Sequence, residues 1–199
     1  MSCYGVQRNT RSKVTLPYLP VKGTLKDGRH IQLVNYEDKY ESETHAILKK
    51  ICDDGTSYPQ ESMDSVEDFR AYYLSHECYC LVDSDTFEVL GAFYVKPNFP
   101  VRSSHLANAG FIVKESARGN GVGRFMCEKF LQIARDLGYL ASFFNLVYTS
   151  NAASVSLWTK LGFRNIGTIP KAGNLKGIGF VDAMQFYYDL TTIPKTENI

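Results

Sequence analysis

Six consecutive residues, Arg118-Gly119-Asn120-Gly121-Val122-Gly123, form a pattern that can hold an anion. An apolar, strand-like run, residues 108–113, precedes them, and a segment with helical spacing of apolar residues follows. A glycine-rich turn feeding a helix N-terminus leaves backbone N–H groups pointing outward without partners, and the helix dipole adds partial positive charge. Glycine at alternate positions lets the backbone adopt positive φ and approach the anion closely. A pyrophosphate is the expected guest. The nucleotide-triphosphate loop requires Gly-x4-Gly-Lys-Ser/Thr, and no Lys-Ser or Lys-Thr follows these glycines. The dinucleotide fingerprint requires Gly-x-Gly-x-x-Gly, whereas Gly119, Gly121 and Gly123 are spaced by two and position 124 is Arg. An ordinary glycine loop between strand and helix is the plain alternative.

A second set of residues offers polar groups in apolar rows. Side chains alternate along a strand, so Asn108, Gly110 and Ile112 share a face, and this strand carries no carboxylate. By the same alternation Asn145 shares a face with Phe143 and Val147. A neutral amide can donate to a carboxylate without the repulsion that Asp or Glu would bring. The plain alternative for each is a buried amide that satisfies backbone groups. Asn151 stands where a helix N-cap belongs. Trp158 carries an indole N–H, which donates a hydrogen bond but is no acid, and a packing anchor explains it equally well. A general base is not singled out by spacing: His105, Tyr79, Tyr94, Tyr148 and a chain of water molecules all remain open.

These residues need elements to position them. The pattern predicts a strand at 29–36, a helix at 40–52 closed by Gly55, and a helix at 64–75 started by Asp64 or Ser65. A hairpin follows, with strands 78–83 and 87–96, then the strand 108–113. Val122, Met126, Phe130, Ile133 and Leu137 lie on one face of a helix at 122–137, closed by Gly138. Next come a strand at 141–149, a helix at 152–161 ended by Gly162, and strands at 163–170 and 180–190. The order β–α–α–β–β–β–α–β–α–β–β defines an α/β sheet fold.

The 199 residues suit one domain, with 44% hydrophobic and 22% charged residues. No run approaches the ~20 apolar residues of a membrane span. The N-terminus lacks a charged-then-apolar segment with a cleavage site, so a cytoplasmic rather than secreted location is expected. A formal net charge of +1 predicts no bulk attraction to nucleic acid. Five cysteines at irregular spacings read as reduced buried thiols, and no metal is expected. Residues 1–26 hold Arg8, Arg11, Lys13, Lys22 and Lys26 with no acidic residue. Pro17 and Pro20 interrupt the long amphipathic helix that a mitochondrial presequence needs, which favours a basic arm or an edge strand. Thirteen tyrosines and twelve phenylalanines predict a core and pocket with aromatic walls.

The Arg118–Gly123 turn resembles the Arg/Gln-x-x-Gly-x-Gly/Ala pattern of the GNAT superfamily of N-acetyltransferases. The stretch Asn151-x-x-Ser154-x-x-x-Trp158-x-Lys160-Leu161-Gly162-Phe163 is similar to that family's second signature, Asn…Ala…Tyr-x-Lys-x-Gly-Phe. The resemblance implies the GNAT fold, a mostly antiparallel mixed sheet with two splayed central strands flanked by helices, and a cofactor-binding core over 78–190. It implies acetyl-CoA as cofactor, held by backbone groups at Phe111, Ile112 and Val113 and by Arg118, Gly119, Asn120, Gly121, Val122, Gly123 and Arg124. Asn151 and Trp158 complete that set. The segments Gly91–Asn98, Asn108–Phe111, Phe144–Val147, Trp158 and Val181–Ala183 resemble the fungal L-azetidine-2-carboxylate N-acetyltransferases, as do Tyr58-Pro59-Gln60 and Ala172-Gly173. That closer resemblance implies acetylation of the ring nitrogen of proline-like imino acids, a role in detoxification and oxidative-stress tolerance, and a homodimer. It makes Asn108, Asn145 and Phe111 the acceptor contacts, with the two asparagines holding the substrate carboxylate and orienting its nitrogen. An acetyltransferase acting on protein or peptide amines and a non-catalytic acyl-CoA sensor are the competing expectations. The loops at 52–64 and 97–107 are expected to wall a small pocket.

Overall fold

The computed structural model describes residues 16–197. Arg8, Arg11, Lys13 and Cys3 lie outside the described residues. The elements are strands β1 (Val21–Thr24) and β2 (His30–Asn35), helices α1 (Glu41–Asp54) and α2 (Val66–Tyr73), and strands β3 (Glu77–Asp83), β4 (Val89–Pro97) and β5 (Leu106–Val113). Helix α3 (Val122–Asp136), strand β6 (Ala141–Tyr148), helix α4 (Ala152–Lys160) and strands β7 (Arg164–Leu175) and β8 (Gly179–Asp189) follow. They build an eight-stranded sheet in the order β1-β2-β3-β4-β5-β6-β8-β7. Every neighbouring pair is antiparallel except β5–β6.

One apolar cluster lies under α3 and α4, with Phe93, Met126, Phe130, Phe144 and Trp158 among its members. The other lies under α1 and α2, around Leu48, Phe69, Tyr73 and Tyr94. On α3 the predicted face is the buried one: Val122, Met126, Phe130 and Ile133 all point into the first cluster. Helix α1 ends at Gly55 with φ +65°, whose N–H bonds the carbonyls of Ile51 and Cys52. The four described cysteines, Cys52, Cys78, Cys80 and Cys127, are buried and free.

The central strands part. β5 is paired with β4 along its length, from Pro97↔Ala107 to Gly91↔Val113. With β6 it pairs only at Leu106↔Ala141 and Ala107↔Ser142. Beyond Ala107 the backbone groups of β5 that point toward β6 have no sheet partner, the splayed opening that ligands of open α/β sheets use.

Several expectations are corrected. Strand β7 does not stop at Pro170 but runs to Leu175. It is an edge strand, and a register shift between Ile169 and Gly173 carries the proline in a bulge, where its missing N–H costs no ladder bond. The row Phe143–Asn145–Val147 is broken by a bulge between Phe144 and Val147, so Val147 joins Phe144 in the large core cluster. The loop expected from residue 52 starts only after Asp54, and the strand expected at 29–36 spans His30–Asn35. Within the basic arm, Val21–Thr24 is an edge strand paired with β2.

Candidate active site

The glycine turn sits where β5 ends and α3 begins. Gly119 and Gly121 have φ of +82° and +99°, a region that L side chains avoid, and Gly121 is the N-cap of α3. No side chain caps this helix, so its first-turn N–H groups face outward. A Cβ on Gly119 would meet nothing within 4 Å, which leaves an open approach to the turn, whereas one on Gly123 would rest against Val113 and Leu157 at 3.9 and 4.0 Å. Arg118 and Arg124 are exposed beside the turn, Arg124 paired with Glu128 at 2.7 Å. Lys26 adds a third cation: its N–H donates to the Asn120 carbonyl at 3.1 Å, and its side chain borders Gly121. These groups fit a pyrophosphate: unpaired backbone donors, a positive dipole end and three cations.

Beside the parted strands lies a cavity of about 700 Å³, a volume that suits a ligand site. Asn108 and Asn145 both line it, as do Phe111, Asn151 and Trp158. Asn108 Oδ1 accepts the Ala109 N–H at 2.9 Å. Asn145 exchanges two hydrogen bonds with the buried Asn98, at 2.7 and 2.9 Å, so β6 is tied to the end of β4. Asn108 thus satisfies a backbone N–H, as its plain alternative requires, whereas Asn145 satisfies a side-chain amide instead, and each keeps an amide hydrogen to donate. Gly110 is required by close approach. A Cβ there would come within 2.5 Å of the Tyr94 ring and 2.7 Å of the Tyr58 hydroxyl. Tyr58 and Tyr73 donate to the carbonyls of Phe111 and Gly110, at 3.3 and 3.0 Å, holding the middle of β5 from the α1–α2 side.

The model of the Acetyltransferase (GNAT) family matches residues 42–163. The chain belongs to the GNAT acetyltransferase family. It is 31% identical to a GCN5-related N-acetyltransferase from Kribbella flavida, with a TM-score of 0.76 over 80% of this chain and 97% of that one. A GNAT superfamily phosphinothricin acetyltransferase from Sinorhizobium meliloti, solved in complex with AcCoA, shares the fold at 19% identity, with a TM-score of 0.71 over 85% of this chain and 95% of that one. The N-acetyltransferase aca1 of Schizosaccharomyces pombe is 44% identical over 106 residues, 53% of this chain. The match spans about half, 51%, of the length of that curated relative.

Around the cavity the other sequence-derived candidates separate. Asn151 caps α4, its Oδ1 accepting the Ser154 N–H at 3.1 Å, and it also faces the cavity. Trp158 is only 6% exposed, with ring centroids 4.5 Å from Phe144 and 5.3 Å from Phe111. That is an anchor's environment, where the family pattern has Tyr. Of the base candidates, His105 is exposed and Tyr79 is buried, and neither lines the cavity. Tyr94 and Tyr148 do line it, and burial pushes both hydroxyls above their ordinary pKa, so they are donors rather than bases at neutral pH.

Sequence reasoning missed Lys26, Lys96, His76 and Tyr72. Burial lowers the pKa of Lys96 to about 8. It lowers that of His76 to about 4, with the Lys96 charge adding to the effect. Lys26 was visible only as part of a basic run, and Lys96 only as the last cation of a hairpin strand. What marks them is their tertiary surroundings. Among the described residues no three His, Cys, Asp or Glu side chains gather as a metal site, and no helix is long and apolar enough to cross a membrane.

Proposed function

We propose that this protein is an acetyl-CoA-dependent N-acetyltransferase that acetylates the ring nitrogen of L-azetidine-2-carboxylate or a related proline-like imino acid. The observation that carries the reading is the junction at β5. The uncapped glycine turn follows directly on that strand, and where β5 parts from β6 two neutral amides, Asn108 and Asn145, line the cavity. Bound acetyl-CoA supplies an activated acetyl thioester. The first-turn N–H groups of α3 would hold its pyrophosphate with Arg118, Arg124 and Lys26, and free N–H groups of β5 near Phe111–Val113 would hold the acyl arm and polarise its carbonyl. Asn108 and Asn145 bind the acceptor carboxylate and turn the ring nitrogen toward the opening. The ring nitrogen would attack the acetyl carbonyl, the new C–N bond replacing the C–S bond. The nitrogen proton would pass through water to the departing thiolate so that CoA leaves as the thiol, since the lining tyrosines stay protonated and are no bases.

The chamber walls favour a small acceptor over a peptide. Residues 57–60 and 62–63 from the α1–α2 loop line it, and Pro97 and Asn98 close the other side. The one carboxylate on the lining, Asp68, lies exposed on the first turn of α2. Exposed apolar side chains on the β7–β8 edge, Ile166, Ile169, Ile178 and Phe180, support a homodimer in the same reading. Thiol release from acetyl-CoA tests the acceptor class with azetidine-2-carboxylate, free amino acids, polyamines and peptides. Saturable release with azetidine-2-carboxylate is expected. Release with peptides alone removes the imino-acid reading, and tight CoA binding without release to any acceptor makes the protein a sensor.

A further inference from the structure

Lys96 and Asn108 are direct partners across the β4–β5 ladder, so their side chains leave the same face of the sheet. Both line the chamber. The Lys96 ammonium lies between two aromatic rings, 4.3 Å from the Tyr94 centroid and 4.6 Å from that of Tyr72. Ring faces stabilise a cation there. No ion pair of the described residues includes Lys96. Asn108 spends its oxygen on the Ala109 N–H, which leaves its amide hydrogens without an acceptor among the described residues. Two donors stand side by side, one charged, with no anion to receive them. A desolvated ammonium without a counter-charge is costly, and a site that keeps one is made for an anionic guest.

We propose that Lys96 is the specificity-determining cation of the acceptor chamber, seating the acceptor's carboxylate together with Asn108 and so selecting amines that bear a carboxylate next to the nitrogen. This rests on the N-acetyltransferase reading above and names a residue and a substrate class within it. The titratable groups facing Lys96 are Tyr94 of β4, Tyr72 of α2 and His76 in the turn after α2. Both tyrosines stay neutral because burial raises them, and His76 stays neutral because burial lowers it. Lys96 is therefore the group whose charge changes, from charged below about 8 to neutral above it.

Tetrahydrofuran-2-carboxylate is the probe, because an ether oxygen replaces the titrating ring nitrogen. Its affinity for the CoA-loaded full chain is measured by calorimetry from pH about 6.5 to about 9.5. In the wild type it is expected to weaken as pH passes about 8. Lys96→Met should weaken it by about tenfold or more at neutral pH and flatten the profile. Lys96→Arg should retain binding, with no loss at high pH, since the guanidinium stays charged. The carboxamide analogue should bind wild type and Lys96→Met alike. Unaltered carboxylate binding in Lys96→Met, or a pH profile that survives the substitution, overturns the assignment, and so does a wild type that does not bind the probe. A melting temperature for Lys96→Met no lower than wild type excludes misfolding. Thiol release with azetidine-2-carboxylate separates the two readings. Turnover without Lys96 dependence removes only the lysine, and Lys96-dependent binding without turnover removes only the imino-acid reaction.

Discussion

Helices α3 and α4 each follow one of the two parted strands, and their N-termini are finished in opposite ways. Helix α4 is closed by its own sequence: Asn151 accepts the Ser154 N–H, as Ser65 accepts the Asp68 N–H at the start of α2. Helix α3 begins at Gly121, with no side-chain cap and three cations around it. A cap consumes the donors that an anion would need. Of two helices in equivalent positions, one spends its first-turn donors on a cap and the other leaves them open to an anion. The cavity beside the parted strands contrasts with the glycine turn in the same way, being lined largely by side chains drawn from the α1–α2 loop, α2, β4, β5 and β6.

The comparison is broken most strongly by giving α3 a cap. Gly121→Asp places a carboxylate at the N-cap, and Asp tolerates the left-handed backbone there better than most residues. Acetyl-CoA affinity, read by calorimetry, should fall about 100-fold, equivalent to ~2.7 kcal/mol, while thermal unfolding stays cooperative. Gly138→Asp is the control. It has a similar φ, +95°, beyond the far end of α3, and should leave that affinity unchanged.

A smaller effect is expected on the acceptor side. Asn145→Ala strips the buried Asn98 of its two amide bonds, costing about 1–3 kcal/mol of stability by denaturant titration. Its acceptor kcat/KM should also fall by about tenfold. Asn98→Ala should match the stability loss and spare more of the activity, since Asn145 remains. Equal kinetics for the two variants would assign Asn145 to structure alone.

The smallest effect sharpens the comparison from α4. Asn151→Ala should cost about 1 kcal/mol of stability, the ordinary value of a cap. Asn151→Asp keeps the acceptor oxygen and removes the amide hydrogens, so it should restore stability. A loss of CoA affinity common to both variants would locate the cofactor contact in the amide N–H.

How much was legible follows from where each feature is encoded. The glycine turn, the buried face of α3 and the Asn151 cap are local, set by residues within one or two turns of chain, and the sequence pattern contains them. Strand β7 past Pro170 was not legible, because a proline that breaks a central strand is harmless in an edge bulge. The row through Asn145 failed for the same reason, since a bulge resets the alternation. Lys96 and His76 are ordinary in sequence and become unusual only when the fold buries them beside Tyr72 and Tyr94. Lys26 reaches the glycine turn through the β1–β2 connection, a contact of 94 residues' separation between Lys26 and Asn120 that no local spacing reveals.

The most direct test of the central claim, that the uncapped end of α3 holds the cofactor's pyrophosphate, is the ratio of affinities for CoA and for pantetheine, which lacks that group. In the wild type CoA should bind more tightly by about 100-fold or more, and in Gly121→Asp the ratio should collapse toward one. Equal binding of the two by the wild type, or a ratio that the substitution leaves intact, would contradict it.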